Sequence, residues 1–233
     1  MWGARLAEAN KLGGLVVIFD CNGVLLDSEP IAAAVAAKEF VRAGIPVTPE
    51  IIARYFFGRR PADMFAAVEA ATHRKLPANF AANLSQATLD RFREELRPMP
   101  HAAYALTWLR GPKCVASSST IERIRMSLET ADLARFFEPN LFTASDVPKG
   151  KPAPDLLLYA AGQMKTRPAE CVVVEDSPAG VTAAVSAGMR AIGFVGGSHS
   201  GAELGQQLLT SGASMIIADM RQLKSAVTTL RGW

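Results

Sequence analysis

Leu15–Pro30 reads LVVIFDCNGVLLDSEP, and the fold turns on how this stretch is read. Leu15, Val16, Val17, Ile18 and Phe19 form an apolar run rich in β-branching, far too short for a membrane span and suited to a strand buried on both faces. The run ends in Asp20. A carboxylate at the C-terminal end of a buried strand, followed by Asn22-Gly23, stands where open α/β sheets form their ligand crevice. Asn-Gly is also the strongest short signal for a β-hairpin, here between VVIFD and VLLD. The stretch alone leaves both readings open.

Three further polar clusters follow short apolar runs. Ser117-Ser118-Ser119 comes after Cys114-Val115-Ala116, Lys151 lies in GKPAPD, and Glu175-Asp176 follows CVVV. A carboxylate, a hydroxyl, a lysine and an acidic pair, in that order on separate strand ends, make a specific set. It resembles the haloacid-dehalogenase-like (HAD) hydrolase superfamily, in particular its sugar-phosphatase and β-phosphoglucomutase-like branch. The likeness runs over about residues 14 to 220. The resemblance implies an α/β fold: a Rossmann-like parallel-sheet core with a small all-helical cap inserted after the first strand. The expected division is a core of residues 14–29 and 99–233 and a cap of residues 30–98.

Composition bounds the alternatives. The chain has 233 residues, 49% of them apolar, and a net charge of +3 spread without a basic run. That balance argues against a nucleic-acid surface and is compatible with a small anionic substrate. Three cysteines, Cys21, Cys114 and Cys171, each border an expected core strand. An odd count in such places reads as reduced interior thiols of a cytoplasmic protein, not a disulfide framework. No signal-peptide pattern or apolar run of membrane-spanning length is present. Residues 1–13 receive no role, and the oligomeric state is not legible.

Between the first strand and Lys113 the chain reads as helical. Ile31–Ala43 stops at Gly44, Thr48-Pro49-Glu50 opens Ile51–Phe57, a third helix runs from Pro61 to His73, and a fourth covers Asn79–Leu96. Glu29-Pro30 and Pro98-Met99-Pro100 bracket this insert as the two strands of a hinge. From His101 onward helix and strand alternate, which implies parallel strands with right-handed crossovers. Strands are expected at Lys113–Ala116, Leu141–Ala144, Cys171–Val174, Ala191–Val195 and Met215–Ala218. Ser119-x-x-Glu122 reads as a capping box and Ser177-Pro178 as an N-cap with proline in the first turn. Gly196-Gly197-Ser198 is read as a loop without a function, and His73, His101 and His199 as surface or packing residues.

The resemblance assigns Asp20 as a nucleophile that takes a phosphoryl group as an aspartyl-phosphate, splitting one hard displacement into two easier ones. Ser117 and Lys151 suit the neutralisation of phosphate charge, with Ser118 and Ser119 beside them at a helix N-terminus. Glu175 and Asp176, together with Asp20 and the backbone carbonyl of Asn22, are expected to hold Mg²⁺, which prefers hard oxygen ligands. One departure stands out: the family motif Asp-x-Asp is here Asp20-Cys21-Asn22. A carboxamide cannot exchange the proton that the family's second aspartate handles, and losing such help typically costs ~10²–10⁴-fold in rate. An engineered trap, a natural low-activity relative, or a leaving group needing little protonation would each account for Asn22. Asn-Gly is also prone to deamidation.

Substrate choice is expected from the cap and hinge: Ser28, Glu29, Arg59 and Arg60, the arginines as a clamp for a second anion. Ala32 and Pro61 stand where the phosphomutase relatives carry other residues, which favours hydrolysis. The expected function is a Mg²⁺-dependent phosphatase acting on a sugar, polyol or sugar-acid phosphate, with no nucleic-acid or membrane partner. A phosphomutase and a non-catalytic phosphate-binding protein are the competing readings.

Overall fold

A computed structural model of the chain describes residues 15–56 and 61–231. Its centre is one parallel sheet of six strands in the order β3-β2-β1-β4-β5-β6. The strands are β1 (Val16–Phe19), β2 (Lys113–Ser117), β3 (Leu141–Thr143), β4 (Cys171–Glu175), β5 (Arg190–Phe194) and β6 (Met215–Ile217). β1 pairs with β2 on one side and β4 on the other, Ile18 lying opposite Cys114 and Val173. Asn22-Gly23 therefore does not close a hairpin. Gly23, at φ +74°, makes a tight turn whose N–H donates to the Leu26 carbonyl, while the Leu26 N–H returns to Cys21.

Alternation along β1 explains why it reads as continuously apolar. Val17 and Phe19 join the cluster on one face of the sheet, with Val115, Val174 and Ile192; Val16 and Ile18 join the other, with Ala116, Val173 and Ala191. A strand covered on both faces has no solvent side to carry polar residues. Its chain order reverses here, since β2 and β4 lie to opposite sides of β1. Such a switch point opens a crevice beyond the C-terminal strand ends.

Four helices come between β1 and the rest: α1 (Glu29–Arg42), α2 (Pro49–Phe56), α3 (Pro61–Thr72) and α4 (Phe80–Glu95). They share a hydrophobic cluster of their own, which includes Phe40, Ile52, Met64 and Phe80. Phe92 and Leu96 at the far end of this insert pack with the sheet instead. Two crossing segments tie the insert to the sheet, through Asp27 N–H to the Arg97 carbonyl at 3.1 Å and Met99 N–H to the Leu25 carbonyl at 2.8 Å. The remaining helices are α5 (Ala102–Trp108), α6 (Ile121–Thr130), α7 (Asp155–Gln163), α8 (Pro178–Ser186), α9 (Leu204–Thr210) and α10 (Leu223–Arg231). No helix among the described residues is long and apolar enough to cross a membrane.

Candidate active site

The strand ends converge. Asp20 follows β1, Ser117 ends β2, Glu175 ends β4 and Asp176 follows it, and all four are buried. Lys151, from the loop before α7, is buried among them. Its Nζ donates to Asp20 Oδ1 at 2.6 Å, to Glu175 Oε1 at 2.5 Å and to the Ala116 carbonyl at 3.1 Å. Burial alone would lower the lysine, but the charges of Asp20 and Glu175 outweigh it and hold the ammonium above its ordinary range. On Asp20, burial raises the carboxyl to about 8 against the pull of Lys151, with Glu175 and Asp176 pushing the same way as burial. One ammonium thus holds two buried carboxyl groups, Asp20 and Glu175.

Glu175 is more occupied than the sequence reading implies. Its Oε2 accepts from the N–H groups of Asp176 and Ser177, both at 3.1 Å, and from the Ser177 hydroxyl at 2.9 Å. With Oε1 on Lys151, both oxygens of Glu175 have protein partners, and Glu175 is not among the residues lining the cavity. The cause is the start of α8: a Cβ on Gly180 would come within 1.9 Å of the Glu175 carboxylate, so that helix closes directly over it. Asp176 is the member of the pair that lines the cavity.

Asn22 is held at both ends of its amide. The Ser28 hydroxyl donates to Oδ1 at 3.2 Å, and Nδ2 donates to Ser119 Oγ at 2.8 Å. Ser117 Oγ accepts the Ser119 N–H at 3.3 Å, which bends the serine segment into the start of α6. The N-cap is Thr120, one residue later than the expected capping box: its hydroxyl accepts the Arg123 N–H at 3.4 Å, while Ser119 is drawn to Asn22.

These groups floor a cavity of about 310 Å³ whose walls come from the helical insert. Asp20, Asn22, Ser117, Ser118, Ser119 and Asp176 form its polar floor; Ile52, Phe56, Met64, Phe65 and Leu84 form an apolar wall. Glu29 lines it at the hinge, where burial first and then the charge of Asp176 raise its carboxyl to about 7. Arg59 and Arg60 lie outside the described residues.

Sequence reasoning missed two residues. His199, read as surface or packing, is half-buried with its side chain 6% exposed, and its Nε2 lies 2.9 Å from Asp176 Oδ2. Burial would lower the imidazole, but the hydrogen bond and charge of Asp176 outweigh it and raise it. Gly23 lets the two meet, since a Cβ there would lie 1.8 Å from Asp176 Oδ2 and 2.9 Å from the His199 ring. The available signal was position: the Gly196-Gly197-Ser198 loop leaves the C-terminal end of β5, the edge on which the site forms. The other residue is Arg123, whose guanidinium lines the cavity and stacks at 4.7 Å over the Phe92 ring.

Comparison with known proteins settles the family. The family model described as haloacid dehalogenase-like hydrolase matches residues 15–188. The chain belongs to the haloacid dehalogenase-like hydrolases. Among curated members, it is 29% identical over 185 residues to 6-phosphogluconate phosphatase of Escherichia coli, covering 79% of this chain and 84% of that protein. It is 30% identical over 204 residues to the phosphorylated carbohydrates phosphatase of Thermotoga maritima, covering 86% and 93%. A solved haloacid dehalogenase-like protein from Agrobacterium tumefaciens superposes with a TM-score of 0.81 at 33% identity, over 94% of this chain and 99% of that one. The protein is thus a hydrolase with the six-stranded core and helical insert of this family.

Proposed function

We propose that this hydrolase releases inorganic phosphate from a small phosphorylated metabolite, a sugar, polyol or sugar-acid phosphate, through an aspartyl-phosphate on Asp20. The observation that carries the reading is the convergence of Asp20, Ser117 and Asp176 on the floor of one cavity beneath the helices, with Lys151 bonded to Asp20 from behind that floor. In the first half, an oxygen of Asp20 attacks phosphorus, the P–O bond to the organic group breaks, and the alkoxide leaves as the alcohol by taking a proton from solvent. In the second, water attacks the same phosphorus, gives up its proton to solvent and breaks the bond to Asp20, releasing phosphate and restoring the carboxylate. Lys151 orients Asp20 and sets a positive charge beside the incoming phosphoryl oxygens; Ser117 and the N-terminus of α6 supply donors to them. Glu175 acts as a positioning residue that holds Lys151.

The donor set fits Mg²⁺. The Asp20 and Asp176 carboxyl oxygens and the backbone carbonyl of Asn22 come from residues lining one cavity, and hard oxygen donors of this kind suit a divalent cation, whose charge would hold the raised Asp20 carboxyl ionised. Asp20, Asp176 and the Asn22 carbonyl would hold the ion, and it would neutralise charge on the phosphoryl oxygens. Asn22 is the handicap. Its amide is fixed between Ser28 and Ser119 where an acid/base would have to act, and it has no proton to exchange. Ala32 and Pro61 both line the cavity, and neither can take a proton there, which supports hydrolysis over phosphoryl return to the sugar.

A test compares the native chain with Asn22→Asp on a panel of phosphate esters, with and without Mg²⁺. The expected result is Mg²⁺-dependent phosphate release that rises by ~10²–10⁴-fold in Asn22→Asp. Equal inactivity of both proteins would favour a phosphate-binding role, and an isomeric sugar phosphate as product would favour a mutase.

A further inference from the structure

The cavity has a polar floor where a phosphate would sit, and one charged group of its lining has no part in the phosphate reading above. Arg123 is the third residue of α6, and among the described residues lining the cavity it is the one cation. Its Nε is buried with no hydrogen-bond partner among the described residues. A buried guanidinium is costly unless its donors are met, and it presents a planar fork that suits a carboxylate. Its Cζ lies 4.7 Å from the centroid of the buried Phe92 ring, a contact that helps fix the guanidinium at the cavity. Burial lowers the guanidinium from its ordinary value, with the charges of Glu29 and Cys21 opposing the change. The rest of the described wall is mostly apolar, with Ser85 and Thr88 as neutral donors, so no second cation is there to meet a further negative charge on a substrate.

We infer that Arg123 binds a second anionic group, a carboxylate at the end of the substrate remote from the phosphate, so that the preferred substrates are phosphate esters of short acids. The inference rests on the phosphatase reading for where the phosphate lies. It refines that reading by selecting acids over neutral polyols, and it moves the anion clamp from the arginines expected at 59 and 60 to α6.

Two probes differ only at the remote end: 6-phosphogluconate ends in a carboxylate, and sorbitol 6-phosphate ends in a hydroxymethyl group. Their dissociation constants are measured by calorimetry on the Asp20→Asn protein, where no turnover intervenes, and again with Arg123→Met or Arg123→Lys added. The expected result is that the acid binds about tenfold or more tighter than the alditol with Arg123 present. Arg123→Met removes that ratio, and Arg123→Lys, which keeps the charge but not the fork, retains part of it.

A ratio near one with Arg123 present would overturn the inference. So would an equal loss for both probes in Arg123→Met, which would make the residue a structural or phosphate-binding one. A ratio that survives Arg123→Met but falls in Arg59→Ala/Arg60→Ala would overturn it as well, as would failure to bind either probe. Binding with the expected ratio by a protein that releases no phosphate from any ester would instead sink the phosphatase reading and leave Arg123 its role.

Discussion

Lys151 concentrates the electrostatics of the site in one atom. Its Nζ serves Asp20, Glu175 and a strand carbonyl at once, and its side chain is 1% exposed. Removing one partner of a buried charge set strands the others, at a cost of about 3–5 kcal/mol. Lys151→Met is therefore expected to lower the unfolding free energy by an amount of that order and phosphate release by about 10²-fold or more; denaturant melts and a phosphate assay check both. A stability unchanged within about 1 kcal/mol would show that the buried triad is not the strained balance described here. Glu29 gives a pH signature. Its folded carboxyl is raised to about 7 from an ordinary 4.5. A raised acid contributes stability that is complete below its unfolded value, near pH 4.5, and is lost as pH rises through 7, on the order of 3 kcal/mol in all. Glu29→Gln should thus show a shallower fall in melting temperature between pH 5 and 8 than the native chain; parallel profiles would refute the assignment.

The elements carry the site by how closely they approach one another. The N-terminus of α8 sits on Glu175 because Gly180 has no side chain and Ser177 caps the helix while also donating to that carboxylate, at 2.9 Å. Gly180→Ala must push Glu175 off Lys151, with an expected loss of about 2 kcal/mol or more and a drop in activity out of proportion to any change in helix content. Circular dichroism together with the phosphate assay reads both, and a fully active, equally stable Gly180→Ala protein would contradict the packing. Much at this scale was legible in advance. Each expected strand forms within a residue or so of its place, because β-branched runs between glycine and proline signals have few other uses. The exceptions are local contests: Asn22 draws Ser119 away from the cap, Thr120 takes its place, and Thr143 ends β3 by capping a 3-10 turn over Ala144–Asp146. The first of these depends on a partner 97 residues away in sequence, which no local pattern encodes, whereas the Thr143 cap uses Ser145 and Asp146 close by in the chain.

Across the whole molecule, Asp20, Ser117 and Asp176 were legible as one edge of the sheet because each ends or follows an apolar run and parallel strands bring such ends together, while Lys151, in the loop before α7, came from the resemblance alone. Arg123 and His199 were not, since a helix arginine and a loop histidine look like surface residues until Phe92 and Asp176 are seen against them. The same fold buries all three thiols: burial pushes Cys21 and Cys114 far up and Cys171 to about 11. The native protein is accordingly expected to leave a thiol reagent unreacted at pH 8 and to expose three thiols on unfolding; rapid modification of one in the folded state would contradict this core. Movement of residues 30–98 as a closing unit is our proposal, motivated by their separate cluster and paired crossing segments. The most direct measurement of the central claim uses the native chain with p-nitrophenyl phosphate, whose leaving group needs no proton, and Mg²⁺. After an acid quench, peptide mass spectrometry locates any bound phosphate. If Asn22 slows the attack of water as proposed, phosphate is expected on the peptide containing Asp20 and none in Asp20→Asn; phosphate released with no adduct on Asp20, or an adduct on Ser117 instead, would contradict the aspartyl-phosphate mechanism.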